Sequence, residues 1–232
     1  MAIPIFQQDL RFRKRGPARY WLWLALAALT GGAFLILSSE VCEATAGQPE
    51  LIAKIDLACA SLASEARTPA LTQAFICLTA LGSATTVSLF VLGAAVLLGM
   101  NRRYDQVAHL LIAAAGSALL AFLLKSHFKR PRPDNLVHLV KAQGFSYPSG
   151  HSLASAAVYF TFAVLLCRSF QKPLEKARIV LLSLVFIALI GLSRAYLGVH
   201  YISDVVAGLL VGIGWAALLV GLASLFESRK KV

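Results

Sequence analysis

The chain has 232 residues, 58% of them hydrophobic and 14% charged, with a mean hydropathy of +0.73. Its apolar residues come in long uncharged runs, not in the short alternating segments of a soluble core, which excludes an ordinary water-soluble domain. The 22 Lys and Arg against 11 Asp and Glu give a net charge of +11, but the basic residues cluster between the apolar runs as membrane flanks do, so nucleic acid is not the expected partner.

A basic arm, residues 1–19, carries Arg11, Arg13, Lys14, Arg15 and Arg19. Behind it lie six charge-free runs, at residues 20–39, 68–101, 106–124, 142–167, 179–193 and 205–226. Each is read as a helix crossing a hydrocarbon core of roughly 30 Å, which takes about 20 residues at about 1.5 Å each. The fifth reaches that length only by continuing through Arg194 to Gly198, and a charge at that depth has a functional role as its default reading. A cleaved signal peptide is the competing reading of the first run, because a basic start, an apolar stretch and Ala44-Thr45-Ala46 follow one another. The run is long and the small-residue site lies far beyond it, which favours a retained span.

The basic arm, Arg102 and Arg103, four Lys/Arg between Arg168 and Arg178, and the tail from residue 227 with Arg229 to Lys231 alternate with the spans so as to share one face. They hold 14 of the 22 basic residues, which makes that face cytoplasmic by the positive-inside rule. The expected architecture is all-α: one six-helix transmembrane domain over residues 20–226, with both termini cytoplasmic and an outer loop at 40–70. In that loop Leu51, Ile55, Cys59 and Leu62 recur at helical spacing, predicting a short helix on the membrane surface. Cys42 and Cys59 share the loop, but spacing alone does not indicate a disulfide between them.

Three polar segments interrupt the pattern: Lys125 to Pro133, Pro148-Ser149-Gly150-His151, and Ser193-Arg194 followed by His200 and Asp204. Alternating span direction brings all of them to the outer face at one depth. Lys125, Arg132 and Arg194 supply cations that match the non-bridging oxygens of a phosphoryl group. Ser149 and Gly150 stand where a helix begins after Pro148, and backbone N–H groups at such a start bind anions. His200 and Asp204 are four apart, hence on one helical face, so the carboxylate orients the imidazole and leaves the other ring nitrogen free to attack phosphorus. His151 is the candidate proton donor to the leaving oxygen. No carboxylate cluster suited to magnesium accompanies these groups, and neither a metal nor another cofactor is expected.

These segments resemble the signature of the type 2 phosphatidic acid phosphatase superfamily, which also includes vanadium haloperoxidases and soluble acid phosphatases. The signature is a Lys, six residues and Arg-Pro; a Pro-Ser-Gly-His; and a Ser-Arg, five residues, His, three residues, Asp. Lys125 to Arg132-Pro133, Pro148 to His151, and Ser193-Arg194 to His200 to Asp204 meet every element and spacing. The resemblance implies a six-helix lipid phosphatase with His200 as nucleophile, Asp204 as its partner and His151 as general acid. Lys125, Arg132, Ser149, Gly150 and Arg194 then bind phosphate, and Pro133, Pro148 and Ser193 support them.

Outside the pattern, Lys129, Arg130 and Lys141 are read as snorkelling anchors, and Phe145 and Tyr147 as interfacial belt residues. His109, His127 and His138 match no element. A zinc site from His200, Asp204 and His151 is disfavoured, because the surrounding cations would repel a metal. The expected activity is metal-independent hydrolysis of a lipid phosphate or diphosphate at the periplasmic face of a bacterial inner membrane, and the resemblance implies a substrate of undecaprenyl diphosphate, phosphatidylglycerophosphate or phosphatidate type. The expected partners are that substrate and membrane lipids; nothing in the sequence reads out the oligomeric state. The alternatives are a lipid phosphotransferase using the same phosphohistidine and, more remotely, a non-enzymatic transporter or scaffold. A conduction path would place cations at several depths, whereas here they gather at one.

Overall fold

The computed structural model describes residues 18–45, 51–134 and 137–229, and no strand occurs among them. Arg11, Arg13, Lys14, Arg15, Ala46, Lys230 and Lys231 lie outside the described residues. Among the described residues eight α-helices follow in chain order: α1 (Ala18–Thr45), α2 (Leu51–Glu65), α3 (Pro69–Ala80), α4 (Ala84–Met100), α5 (Tyr104–Phe128), α6 (Gly150–Leu166), α7 (Pro173–Tyr196) and α8 (Ile202–Arg229). Helices α1, α5, α7 and α8, and α6 with the short turn that extends it to Ser169, are each long and apolar enough to span a bilayer. A sixth span results if α3 and α4 are counted as one. Large side chains such as Leu22, Leu29, Leu35, Leu119, Phe122 and Leu182 face outward, as lipid contact requires.

The fold departs from the expected spans in several places: α1 continues past residue 39 to Thr45, into the expected loop, and α7 gains its length by starting at Pro173 and ends at Tyr196, short of Gly198. The second run is not a continuous helix but α3 and α4, bent by 50° at Leu81-Gly82-Ser83. Glycine is a poor helix former, and the Ser83 hydroxyl accepts from the Thr86 N–H at 3.2 Å, starting a new helix there. A Cβ on Gly82 would lie 2.5 Å from Ile190 and 3.3 Å from the His151 ring, so the break passes directly against the polar end of the bundle. The fourth run also starts late, because residues 142–149 form a loop and helix begins only at Gly150. The expected outer helix is present as α2, with Leu51, Ile55 and Leu62 exposed and Asp56 and Ala60 buried.

Helix α6 is the centre of the bundle, with eleven of its 17 residues buried against α5, α7 and α8. Its approach to α8 is close because α8 presents glycine. A Cβ on Gly208 would meet the Ser149 carbonyl at 2.5 Å, and one on Gly212 the Leu153 carbonyl at 2.5 Å. That contact fixes the start of α6 beside the start of α8. The ends of α5 and α7 arrive at the same level, while Arg103, Arg168 and Asp105 gather at the other end of the bundle, with Arg103 donating to Ser169 at 3.1 Å.

Candidate active site

Helix α5 ends at Lys129, which takes a left-handed conformation (φ 47°), and Pro131 then prevents helix from resuming. The extended segment that follows carries Arg130 and Arg132 across the mouth of the bundle. The loop 142–149 returns to α6 through Ser146, whose N–H donates to the Arg130 carbonyl at 2.8 Å. Ser149 caps α6 by accepting from the Ser152 N–H, and its own N–H donates to the Asp204 carbonyl at 2.9 Å. The Pro-Ser-Gly segment and the His-Asp segment are thus tied by backbone.

The imidazole of His200 is buried at the turn between α7 and α8. Its Nδ1 lies 3.2 Å from Asp204 Oδ2 and 3.2 Å from Ser146 Oγ, and the Ser146 hydroxyl also donates to Asp204 Oδ2. A carboxylate beside Nδ1 accepts a hydrogen bond from the Nδ1–H, so the lone pair sits on Nε2. Arg132 Nη1 approaches that nitrogen at 3.2 Å. Burial is the larger effect on this ring and lowers its pKa to about 4, with Asp204 pulling the other way; the resting imidazole is neutral at pH 7.

Arg132 touches this nitrogen, Lys125 lies within electrostatic reach of the ring, and Arg194 lies within reach of Arg132 and Lys125. Arg132 is held by the carbonyls of Gly144 (3.0 Å), Gln143 (2.8 Å) and Val199 (2.7 Å), and Lys125 donates to the carbonyls of Phe145 and Ser146. Arg194 is 5% exposed, donates to Thr79 Oγ1 of α3 at 2.9 Å and leaves its Nε without a partner among the described residues. None of the three has a carboxylate at ion-pair distance among the described residues, so their charge is available to an anion. His151, half-buried on the first turn of α6, lies within electrostatic reach of Arg194, His200, Arg132 and Lys125. A Cβ on Gly150 would stand 3.8 Å from Lys125 Cε. Pro133 and Pro148 are buried in the flanking loops, and Ser193 is buried in α7, its hydroxyl on the Ile190 carbonyl.

Two residues differ from their expected roles. Arg130 is not a snorkelling anchor: it is 7% exposed, with Nη1 2.7 Å from Asp204 Oδ1 and Nη2 2.8 Å from Asp56 Oδ2. Burial opposes its charge, but Asp204 and Asp56 together raise its pKa above the ordinary value. Tyr147 is not a belt residue: it is 0% exposed, hydrogen-bonded to Ser38 at 2.8 Å and stacked on Phe34, pinning the 142–149 loop to α1. The other histidines stay outside the cluster, His109 on the Asp105 carbonyl and His138 on the Pro133 carbonyl.

A membrane-embedded helical bundle with a neutral, carboxylate-oriented imidazole beside three cations that have no carboxylate at ion-pair distance among the described residues fits an enzyme of phosphoryl chemistry. The comparisons with known proteins agree. The PAP2 superfamily profile matches residues 106–226. The chain is 31% identical over 182 residues to phosphatidylglycerophosphatase B of Bacillus subtilis, covering 78% of this chain and 86% of that protein. It is 35% identical over 127 residues to lipid A 1-phosphatase of Rhizobium etli, about half of each chain. Among solved structures it superposes on the transmembrane PAP2-type phosphatidylglycerolphosphate phosphatase from Bacillus subtilis with a TM-score of 0.76 and 28% identity, over 85% of this chain and 96% of that one. The chain belongs to the PAP2 superfamily and is a phosphatase of its membrane branch.

Proposed function

We propose that the protein hydrolyses a lipid phosphate or diphosphate through a phosphohistidine at His200, without a metal ion. The observation that carries this reading is the facing of His200 Nε2 by Arg132, with Lys125 near the ring, Arg194 within reach of both cations, and no carboxylate at ion-pair distance from any of the three among the described residues. A phosphoryl group bound there places phosphorus against the imidazole lone pair and its non-bridging oxygens among the cations. Asp204 stabilises the ring as it becomes cationic, and His151 protonates the departing lipid oxygen. Ser149 and Gly150 offer the first N–H groups of α6 to the same oxygens. Water then displaces phosphate from His200.

Among the described residues no three His, Cys, Asp or Glu side chains converge as a metal site, and Arg130 engages both carboxylates nearest the imidazole. Turnover should therefore persist in chelator. Purified protein dialysed against EDTA is expected to release phosphate at an unchanged rate; loss of turnover that magnesium or zinc restores would overturn the metal-free route. The defining experiment is phosphate release from a panel of phosphatidylglycerophosphate, phosphatidate and undecaprenyl diphosphate. The phosphatidylglycerophosphatase relative puts the first of these at the head of the panel.

The 14 basic residues on the opposite flanks support a reading in which the site faces the periplasm of a bacterial inner membrane and both termini are cytoplasmic. Cysteines introduced at Ala142 and Gln143 should react with a membrane-impermeant thiol reagent in intact cells, and one at Gln171 should not. The reverse labelling pattern would put the site in the cytoplasm.

A further inference from the structure

The outer helix α2 brings a carboxylate to the site from outside the sequence pattern that defines it. Asp56 is 1% exposed although its neighbours Ile55 and Leu57 face outward. Its Oδ2 accepts from Arg130 Nη2 at 2.8 Å and from the Ser203 hydroxyl at 2.6 Å, and its Oδ1 accepts from the Ser203 N–H at 2.9 Å. Arg130 Nη1 then spans Ser203 Oγ and Asp204 Oδ1, both at 2.7 Å, with its guanidinium 4.3 Å from the Tyr201 ring centroid. Asp204 completes the turn by accepting from the Tyr201 N–H at 3.0 Å. The result is an unbroken buried chain: Asp56, Arg130, Asp204, His200.

Two consequences follow from its electrostatics. One guanidinium shared by two carboxylates draws less on each than it would on one alone, so Asp204 keeps more of its attraction for the imidazolium that forms on His200. In addition, a side chain 147 residues away in sequence satisfies a first-turn N–H of α8, fixing the turn that aims His200 at the cations. We propose that Asp56 is a positioning residue of the phosphatase reaction, holding Arg130 in a two-carboxylate bridge so that Asp204 supports His200 with the right strength and direction. The proposal rests on His200 as nucleophile.

Among the described residues the other charged or titratable groups around the site are Lys125 of α5, Arg132 and Asp134 of the connecting segment, His151 of α6, Arg194 of α7 and the Tyr201 phenol just before α8; α3 contributes the Thr79 hydroxyl on Arg194. All remain in place in the test, which changes only the bridge. In Asp56→Asn the whole charge of Arg130 falls on Asp204, the imidazolium loses support, and the acid limb of kcat/KM moves down by about one pH unit. The misaimed imidazole lowers kcat roughly 100-fold with KM little changed. Arg130→Gln frees Asp204 and moves the limb the opposite way, upward, and the limb of the double variant follows that of Arg130→Gln because the charge effect of Asp56 runs through Arg130, while the kcat loss from the freed Ser203 N–H remains. The ionisation of the substrate is common to all variants and cancels from the comparison.

The experiment is a set of pH–rate profiles for the full-length enzyme and these three variants on one lipid phosphate, each preparation checked by size-exclusion chromatography. Limbs that stay in place in both single variants, or move the same way, overturn the proposal. Loss of fold in both, with nothing left to titrate, assigns the carboxylate to the fold alone and likewise overturns it. A His200→Ala control that still turns over would instead overturn the nucleophile assignment, which separates failure of that reading from failure of this one.

Discussion

His200→Ala is expected to abolish phosphate release, by roughly 10⁴-fold or more, while the protein still elutes as a folded species. The reason lies in what surrounds the ring. The imidazole is the group whose lone pair faces the cation cluster; its Nδ1 side is taken by Asp204 and Ser146 and leaves only Nε2 to react. The pH dependence has a definite sign. Burial holds the imidazole in its neutral form down to about pH 4, so the reactive form is already dominant at pH 5. The nucleophile's limb of the rate profile should therefore lie below the ordinary histidine value of about 6.5. A folded-state value below the unfolded one means that His200 contributes stability above about pH 6.5 and loses it as the pH falls toward 4. A pH–rate profile and melting curves between pH 4 and 7 measure both effects, and a nucleophile limb near 6.5 would show that the ring is more solvated than its surroundings indicate.

The clustering of the candidate site residues was legible in the sequence because much of their geometry is local. His200 and Asp204 share a helical face by spacing alone, and Pro148-Ser149-Gly150 starts a helix whatever surrounds it. Helix and span direction then bring those segments together without knowledge of the packing. Arg130 shows where such reading ends. It and Arg132 are the same residue type on either side of Pro131, and nothing nearby says that one bridges two carboxylates while the other lies against His200 Nε2. That difference is made by α2, which delivers Asp56 from 74 positions away. The broken second span was hidden for a related reason: an uncharged run reports solubility in lipid, not helical continuity, and Gly82-Ser83 is as uncharged as what surrounds it. Tyr147 was misplaced because an aromatic residue at a span end is interfacial by default. Its hydroxyl finds Ser38 on α1, a contact that only the tertiary structure supplies.

His151→Ala should separate two substrate types that His200→Ala cannot. His151 lies among the same cations, yet it has no carboxylate partner among the described residues, whereas His200 has Asp204 one turn along. An imidazole without that partner is poorly suited to becoming a phosphorylated cation; an anionic substrate bound among the same cations offsets their charge and lets His151 carry the proton it gives to the departing lipid oxygen, the role proposed for it. The worth of a general acid depends on the basicity of the leaving group. For an alkoxide it is roughly 10² to 10⁴ in rate, and for an activated aryl oxide much of that is unnecessary. The alanine variant should accordingly lose roughly 10² to 10⁴ in turnover of a lipid phosphate while keeping a measurable burst of aryl oxide from an activated aryl phosphate. Rapid-mixing assays on the two substrates, run side by side with His200→Ala, provide the measurement. An equal loss on both for His151→Ala, or a surviving burst in His200→Ala, would mean that the two histidines exchange roles, and with them the direction from which the lipid approaches phosphorus.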